Sequence, residues 1–158
     1  MERIEMESTE VQTALAEAVE EVLETMCFAM VLSSSETAIP APAGSDPVHA
    51  MLRFEGTPSG VFHLSIPVAL ARAAGSGFLG RDEEEISDLE ATEVVCELAN
   101  MFCGSVLSRL EKETIFHLSS PVLVTGDAGF PFVGAGISRW FELEGGTLAV
   151  NLDFQLVP

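Results

Sequence analysis

The stretch from Glu93 to Gly104 contains carboxylates and an amide at helical spacing, and both residue types form hydrogen bonds with other groups. A carboxylate accepts hydrogen bonds and carries charge, whereas an amide both donates and accepts hydrogen bonds without charge. Successive residues of an α-helix are about 100° apart, so helical spacing brings several positions of this stretch to within about 60° of one another. These positions are Glu93, Glu97, Asn100 and Gly104.

The other sides of this helix are apolar, which indicates that they pack against the rest of the protein. Asn100 is one of only two asparagines in the chain, and asparagine is a poor helix former. Gly104 costs about 1 kcal/mol of helix stability relative to alanine, so its position indicates close approach by another group. On these features alone, a solvated stripe with a chance asparagine is the favoured interpretation. The apolar positions are Val94, Val95, Leu98, Ala99, Met101, Phe102 and Val106.

A longer spacing in the sequence adds a second observation. Glu97 and Asn100 are followed, some twenty residues later, by Pro121. This arrangement resembles the signature of the CheC/CheX/FliY family of chemotaxis phosphatases, which is Asp or Ser, three residues, Glu, two residues, Asn, and a distant proline. The likeness covers roughly residues 10–156. One departure is Glu93, which stands at the first position of the signature in place of Asp or Ser.

The resemblance implies an activity and a role for each motif residue. The reaction would be hydrolysis of the aspartyl phosphate on a CheY-like response-regulator receiver domain, which makes the chain a phosphoaspartyl-protein phosphatase. Asn100 would orient the attacking water, and Glu97 would dock the active-site lysine of the receiver. Glu93 and Gly104 would contact the partner, and Pro121 would have a structural role. The receiver would supply its own Mg²⁺, so no metal or other cofactor is expected in this chain.

The number of motifs selects the subfamily. Members of the CheC type carry a Glu/Asn pair on each of two long helices, whereas the first predicted helix here contains no asparagine. The single motif therefore resembles the CheX type, which implies a homodimer. The last predicted strand, Leu148 to Leu156, adds a physical argument, because its long uninterrupted alternation needs a pairing partner at its edge, either within the chain or in another subunit.

Hydrophobic periodicity predicts the elements that would position the motif. Two long segments have a helical period with capping residues, and several shorter ones alternate about turn residues. Between them, Pro67 would open a short helix to Ala74 that Gly75–Gly80 ends, and residues 33–47 would form a loop. The long helices are Glu10–Leu32 and Asp82 or Ser87 to Glu113; the strands are Met51–Glu55, Gly60–Ile66, Ser119–Thr125, Gly136–Leu143 and Leu148–Leu156.

The order of these elements predicts an α+β fold in which an antiparallel β-sheet packs against two long helices, as in CheC/CheX-like proteins. Residues 1–158 are expected to form a single domain, with about residues 1–9 as an N-terminal lead-in. The repeated order of helix and then strands also suggests a degenerate duplication, although no internal sequence repeat is evident.

Composition limits the classes of partner. The 158 residues include 25 acidic and 7 basic side chains, a formal charge of −18, so binding to nucleic acid or to an anionic membrane surface is disfavoured. No apolar run approaches the ~20 residues that a membrane-spanning helix needs, and the acidic start does not resemble a secretory signal. The three cysteines lack paired spacing and are expected to be buried thiols. Together these features predict a cytoplasmic protein.

Two other interpretations remain open. A non-catalytic adaptor of the same fold, related to flagellar switch proteins, would bind a receiver without hydrolysing its phosphate, and Glu93 favours it. An unrelated α+β interaction module with a fortuitous stripe is the second. Nucleotide and metal sites are disfavoured, because the G-x-G-x-x-G string at Gly75–Gly80 precedes an acidic run and the three histidines share no ligand spacing.

Overall fold

The computed structural model describes residues 8–40, 46–124 and 136–155. In these residues a β-sheet packs against two long helices, α1 and α3, and a shorter helix, α2, lies beside α3. The helices are α1 (Ser8–Met26), α2 (Val68–Leu79) and α3 (Asp88–Leu110); the strands are β1 (Val31–Ser35), β2 (Pro47–Glu55), β3 (Ser59–Pro67), β4 (His117–Leu118), β5 (Val122–Leu123), β6 (Ile137–Leu143) and β7 (Gly146–Gln155).

The sheet has the order β1-β6-β7-β3-β2, and β4 and β5 both pair with the outer side of β2. Each of these pairings is antiparallel. The predicted hairpin of β2 and β3 is present, as is the hairpin of β6 and β7, in which Gly145 adopts a φ of 101°. The predicted α+β fold, an antiparallel sheet against two long helices, is confirmed.

The topology contains the duplication that the sequence suggests. Each half runs helix, single-strand region and hairpin: α1, β1 and β2–β3 in the first half, then α3, β4–β5 and β6–β7 in the second. The single strand of each half pairs with the hairpin of the other half, because β1 joins β6 while β4 and β5 join β2. The two halves are therefore interlocked within one sheet.

One hydrophobic cluster joins the two long helices to the sheet. Side chains of a strand alternate between the two faces, so alternate positions of the central strands point toward the helices. On α3 the buried positions recur every three or four residues, as predicted, although Met101 is only half-buried. The buried α3 residues are Ala91, Val94, Val95, Leu98, Ala99, Phe102, Cys103, Val106 and Leu107.

The first helix ends at Met26 rather than at the predicted Leu32. Phe28 has a φ of 55°, which lies in the left-handed region and breaks the helix. Residues 31–35 then form β1, where the sequence predicts the end of a helix and the start of a loop. The apolar run before β1 suits both helix and strand, so its periodicity did not separate the two.

The glycines after Ala74 do not end α2. The helix continues to Leu79, and Gly80 ends it with a φ of 69°. Gly77 is needed inside the helix because a Cβ there would lie 1.9 Å from the carbonyl oxygen of Cys27, so α2 packs directly on the chain that follows α1. The G-x-G-x-x-G string at Gly75–Gly80 therefore serves the packing of α2.

Two of the predicted strands need correction, one in its bounds and the other in the pairing of its edges. Of the strand predicted at Ser119–Thr125, only β5 (Val122–Leu123) forms; β4 (His117–Leu118) lies before the predicted range, and Thr125 lies outside the described residues. The last strand, β7, pairs with β6 on one side and with β3 on the other. Because β7 finds both partners within the chain, its alternation gives no argument for a second subunit. Leu156 lies outside the described residues.

Within the described ranges, no helix combines the length and the apolar composition that crossing a membrane requires.

His49 and His63 are far apart in sequence but meet on the sheet, with Nε2 of His49 3.1 Å from Nδ1 of His63. Burial lowers the pKa of His49. Burial, and then the charges of His49 and Arg53, lower the pKa of His63 to about 4. As the pH falls from about 6.5 to about 4, the unfolded chain binds more protons at these histidines than the folded chain does. Their contribution to stability is therefore present above about pH 6.5 and is lost on acidification.

Replacing His63 with glutamine should reduce the loss of stability on acidification. We expect the melting temperature of the wild type to fall more between about pH 7 and pH 5 than that of His63→Gln, because glutamine takes up no proton. Thermal unfolding followed by circular dichroism measures the difference between the two proteins at each pH. His117→Gln, at an exposed histidine of β4, is the matched control and should follow the wild type. An unchanged pH dependence in His63→Gln would contradict this account.

Candidate functional site

A capping box fixes the start of α3. The Ser87 hydroxyl accepts a hydrogen bond from the Glu90 backbone N–H at 3.1 Å, and the Glu90 carboxylate accepts one from the Ser87 N–H at 3.0 Å. These side chains satisfy two donors that would otherwise lack partners at the helix end. Of the two predicted starts for this helix, Ser87 is therefore correct and Asp82 is wrong.

Two arginines hold this helix start in place. Arg72 of α2 forms an ion pair with Asp88 and donates a hydrogen bond to the Ile86 carbonyl at 3.1 Å. Arg81, which follows α2, pairs with Glu90 at 2.6 Å. Exposed ion pairs contribute little free energy individually, but together with the capping box they fix where the first turn begins. The rotation of α3 about its axis follows from its buried side.

The polar stripe of α3 faces solvent. Glu93, Glu97 and Asn100 are exposed, and Gly104 is partly exposed. Residues three and four apart share one helix side, and burial of the opposite side leaves the stripe pointing outward. Among the residues that the structure describes, the side chains of Glu97 and Asn100 form no hydrogen bond or ion pair. Both functional groups are therefore open to a partner.

Glu97 and Asn100 lie side by side in a cleft of about 280 Å³. Helix α3 forms one wall, and the link between β4 and β5 forms the other. Pro121 belongs to that link, so the structure brings the distant proline of the motif to the Glu/Asn pair. We call this the motif cleft; it is lined by Cys96, Glu97, Asn100, Leu118, Ser119, Ser120 and Pro121.

Ser119 holds the β4–β5 link against β2. Its Oγ accepts a hydrogen bond from the Arg53 N–H at 2.9 Å, and its own N–H donates to the Arg53 carbonyl at 2.8 Å. Beyond the link, the Val124 N–H donates to the His49 carbonyl at 2.8 Å. Pro121 has no backbone N–H that would need a hydrogen-bond partner, and it directly precedes β5.

The motif cleft carries a negative field. Burial raises the pKa of the Cys96 thiol, and the charges of Glu97 and then Glu93 raise it further. The described residues that line the cleft include no lysine or arginine. A phosphate group alone would be repelled there, whereas a cation or a metal-neutralised phosphoryl group carried by a partner would be tolerated.

Glu93 and Gly104 flank the motif cleft instead of lining it. Glu93 lies one turn before Glu97, and Gly104 lies one turn after Asn100. A Cβ built on Gly104 would meet no atom within 4 Å, so the predicted close approach is not made by the described part of this chain. The space above Gly104 is open to another molecule.

Sequence reasoning missed part of the cleft wall. Cys96 was expected to be a buried thiol but is partly exposed beside Glu97, whereas Cys27 and Cys103 are buried as predicted. Burial raises the pKa of these two thiols to about 11 and about 12. Sequence reasoning also did not assign Ser119 and its neighbour Ser120 to the site. The signal that could have found them is a pair of polar residues before a proline, inside an otherwise apolar run.

The described residues contain no group of three His, Cys, Asp or Glu side chains placed to hold a metal ion. The motif cleft presents the amide of Asn100 and the carboxylate of Glu97. An amide can orient water, and a carboxylate can pair with a cation.

Comparison with known proteins agrees with the motif. The family model "Chemotaxis phosphatase CheX" matches residues 48–129, which is more than half of the chain. No curated protein matches the chain significantly in sequence. Among solved structures, a chemotaxis protein CheX from Desulfovibrio desulfuricans is 20% identical with a TM-score of 0.70, and the alignment covers 92% of this chain and 99% of that one.

Two further structures show the same fold. CheX from Vibrio vulnificus is 21% identical with a TM-score of 0.72, over 96% of this chain and 100% of that one. A CheX–CheY–BeF3–Mg²⁺ complex from Borrelia burgdorferi contains a chain that is 16% identical with a TM-score of 0.68, over 92% of this chain and 98% of that one.

The glycines at positions 104 and 77 should respond in opposite ways to alanine. Gly104→Ala should raise the free energy of unfolding by up to about 1 kcal/mol, because alanine is the better helix former and its Cβ meets no atom within 4 Å. Gly77→Ala should lower it by about 1–3 kcal/mol, because its Cβ would overlap the Cys27 carbonyl oxygen. Urea titrations measure both. Destabilisation by Gly104→Ala would show that its outer side is occupied.

Proposed function

Since this chain belongs to the CheX family of chemotaxis phosphatases, we propose that it binds a CheY-like receiver domain and hydrolyses its aspartyl phosphate. The observation that carries the proposal is the motif cleft, in which Glu97 and Asn100 stand side by side, exposed and without partners among the described residues, next to Pro121. A site of this kind does its chemistry on a group that another protein brings. The proposal includes a cytoplasmic location, as the sequence predicts.

Asn100 would orient the attacking water. Hydrolysis forms a bond between the water oxygen and phosphorus and breaks the bond from phosphorus to the aspartyl oxygen, which releases inorganic phosphate and restores the carboxylate. An acyl phosphate is already labile, so the catalyst contributes positioning and electrostatic stabilisation more than a nucleophile of its own. An uncharged amide suits this task, because a carboxylate in its place would repel the phosphoryl oxygens.

Glu97 would dock the receiver by pairing with its active-site lysine. The negative field of the cleft supports this role, because it favours a cation where Glu97 stands. Glu93 lies one turn earlier on the same stripe and would contact the partner beside this pair. Pro121 would keep the opposite wall of the cleft in place.

A protein substrate with its own metal suits this cleft better than a free phosphate ester. The motif cleft has no lysine or arginine among its described lining residues, so the charge of a phosphoryl group must be neutralised from outside. A receiver that carries Mg²⁺ would supply that neutralisation. The Borrelia burgdorferi complex, which holds CheX with CheY, BeF3 and Mg²⁺, supports this choice of partner and metal.

Two substitutions should separate chemistry from docking. Asn100→Ala should lower the rate of phosphate loss from a saturating phosphorylated receiver by about 100-fold or more while binding persists, because only the positioning group is removed. Glu97→Ala should lose both turnover and binding, because truncating one partner of a docking ion pair at an interface costs about 2–5 kcal/mol of binding free energy. Phosphate release and calorimetric titration of the receiver measure the two effects.

Glu84→Ala is the matched control, because Glu84 is an exposed carboxylate outside the motif cleft. It should keep wild-type turnover and binding. If the wild type binds a receiver without accelerating phosphate loss, the adaptor interpretation replaces the phosphatase. If the wild type binds none of the receivers of its organism, the partner assignment is wrong.

We also propose that the chain forms a homodimer through the free side of β1. In the described residues β1 pairs only with β6, so its other side presents unpaired backbone groups. Large apolar side chains are exposed just before and within this strand, with Phe28 80% exposed and Met30 69% exposed. An open strand edge beside exposed apolar side chains needs a partner or a cover. This edge replaces β7 as the physical argument for a second subunit.

Introducing charge beside β1 should separate the dimer. The wild type should be a dimer at micromolar concentration, and Met30→Glu should be a monomer, because the new carboxylate would be buried without a partner in the interface. Light scattering at several protein concentrations measures the mass. Leu89→Glu is the control, because Leu89 is equally exposed, at 69%, but lies in the first turn of α3. A monomeric wild type at tens of micromolar would contradict the proposal.

A further inference from the structure

A second cleft of about 430 Å³ continues the motif cleft along α3 toward its C-terminal end. The two clefts share Leu118 as a wall, and Gly104, one turn beyond Asn100, belongs to the second cleft. The roles proposed above for Glu97 and Asn100 do not use this space. We call it the second cleft.

The inner part of the second cleft is apolar. Leu107 is 2% exposed, and Phe116 and Leu118 are partly buried against the core. The absent side chain of Gly104 keeps the cleft open, since a Cβ there would meet nothing within 4 Å. An apolar side chain from another molecule would lose water contact on entering this space.

Lys112 stands at the outer end of the second cleft and is exposed. The chain has only seven basic residues, and three arginines of the described part form ion pairs with acidic side chains: Arg72, Arg81 and Arg109. Lys112 forms no ion pair or hydrogen bond within the described residues. The surface along α3 thus has the carboxylates of Glu93 and Glu97 beside the motif cleft. The Lys112 cation lies just past the helix end at Leu110, next to Glu111, which also lines the second cleft.

A partner placed over Asn100 would cover this surface as well. A standard interface buries about 800 Å² on each partner, which corresponds to a disc of about 16 Å radius. Gly104 and Ser108 lie only about 6 and 12 Å along the helix from Asn100. The second cleft is thus within the footprint of the partner that the motif cleft serves.

We propose that the second cleft is a docking subsite for the same receiver domain: an apolar side chain of the receiver enters it, and a neighbouring acidic side chain pairs with Lys112. This inference rests on the proposed function. Asn100 and Glu97 act at the phosphorylated pocket, whereas the second cleft recognises receiver surface away from the reacting atoms. Complementary charge at such a position selects among partners.

The test uses the full chain and measures kcat and KM for dephosphorylation of a phosphorylated receiver. Gly104→Leu fills the second cleft and Lys112→Glu reverses its charge; each should raise KM by about tenfold and leave kcat within about twofold. Lys112→Arg, which keeps the charge, should restore most of the affinity. Circular dichroism confirms that each variant is folded.

The outcomes separate this inference from the proposed function. If the wild type turns over the receiver and Asn100→Ala does not, but Gly104→Leu and Lys112→Glu keep the wild-type KM, the second cleft is not a docking subsite and the phosphatase assignment stands. A fall in kcat at unchanged KM in Lys112→Glu would also overturn the subsite. A wild type that binds no receiver would overturn both proposals.

Discussion

The burial of one side of α3 against the sheet is the constraint on which the site depends. Because Val95, Leu98 and Phe102 are completely buried, the helix cannot rotate about its axis without exposing them to water. The opposite stripe is therefore held in one direction, and Glu97 and Asn100 project together without any contact between them. The core fixes the direction in which the Asn100 amide points, and the polar residues themselves contribute little to holding it there.

The second wall of the motif cleft has a different origin. It comes from the way in which β4 and β5 pair with β2 on either side of a three-residue link, with Ser119 bonded to both backbone groups of Arg53. A continuous strand would have turned these residues alternately to the two faces. The interruption instead places Ser120 and Pro121 beside α3, where they close the cleft.

Much of the fold and the centre of the site could be predicted from the sequence. The helical period of α3, its start after Ser87 and the two hairpins were correct, because local periodicity and turn chemistry decide them. Asp82 as an alternative start was wrong, and α3 ends at Leu110 rather than at the predicted Glu113. The end of α1 was wrong because an apolar run of seven residues suits helix and strand equally, and pairing with β6 decides between them. The α2 glycines were misread because the reason for Gly77, its close approach to the Cys27 carbonyl oxygen, lies in tertiary packing. The second cleft depends on surfaces that meet only in three dimensions.

Because the two halves of the sheet are interlocked, the two long helices meet different requirements. Each half supplies a strand that pairs with the hairpin of the other half. The first half, which contains α1, is therefore needed for the fold, although the sequence of α1 has no asparagine. Its outward side is rich in glutamate and carries no Glu/Asn motif; two of these glutamates, Glu17 and Glu21, pair with Arg109 of α3. In a duplicated architecture of this kind, the exposed residues of one copy can change freely while its buried residues are retained. The motif can then be kept in the other copy alone.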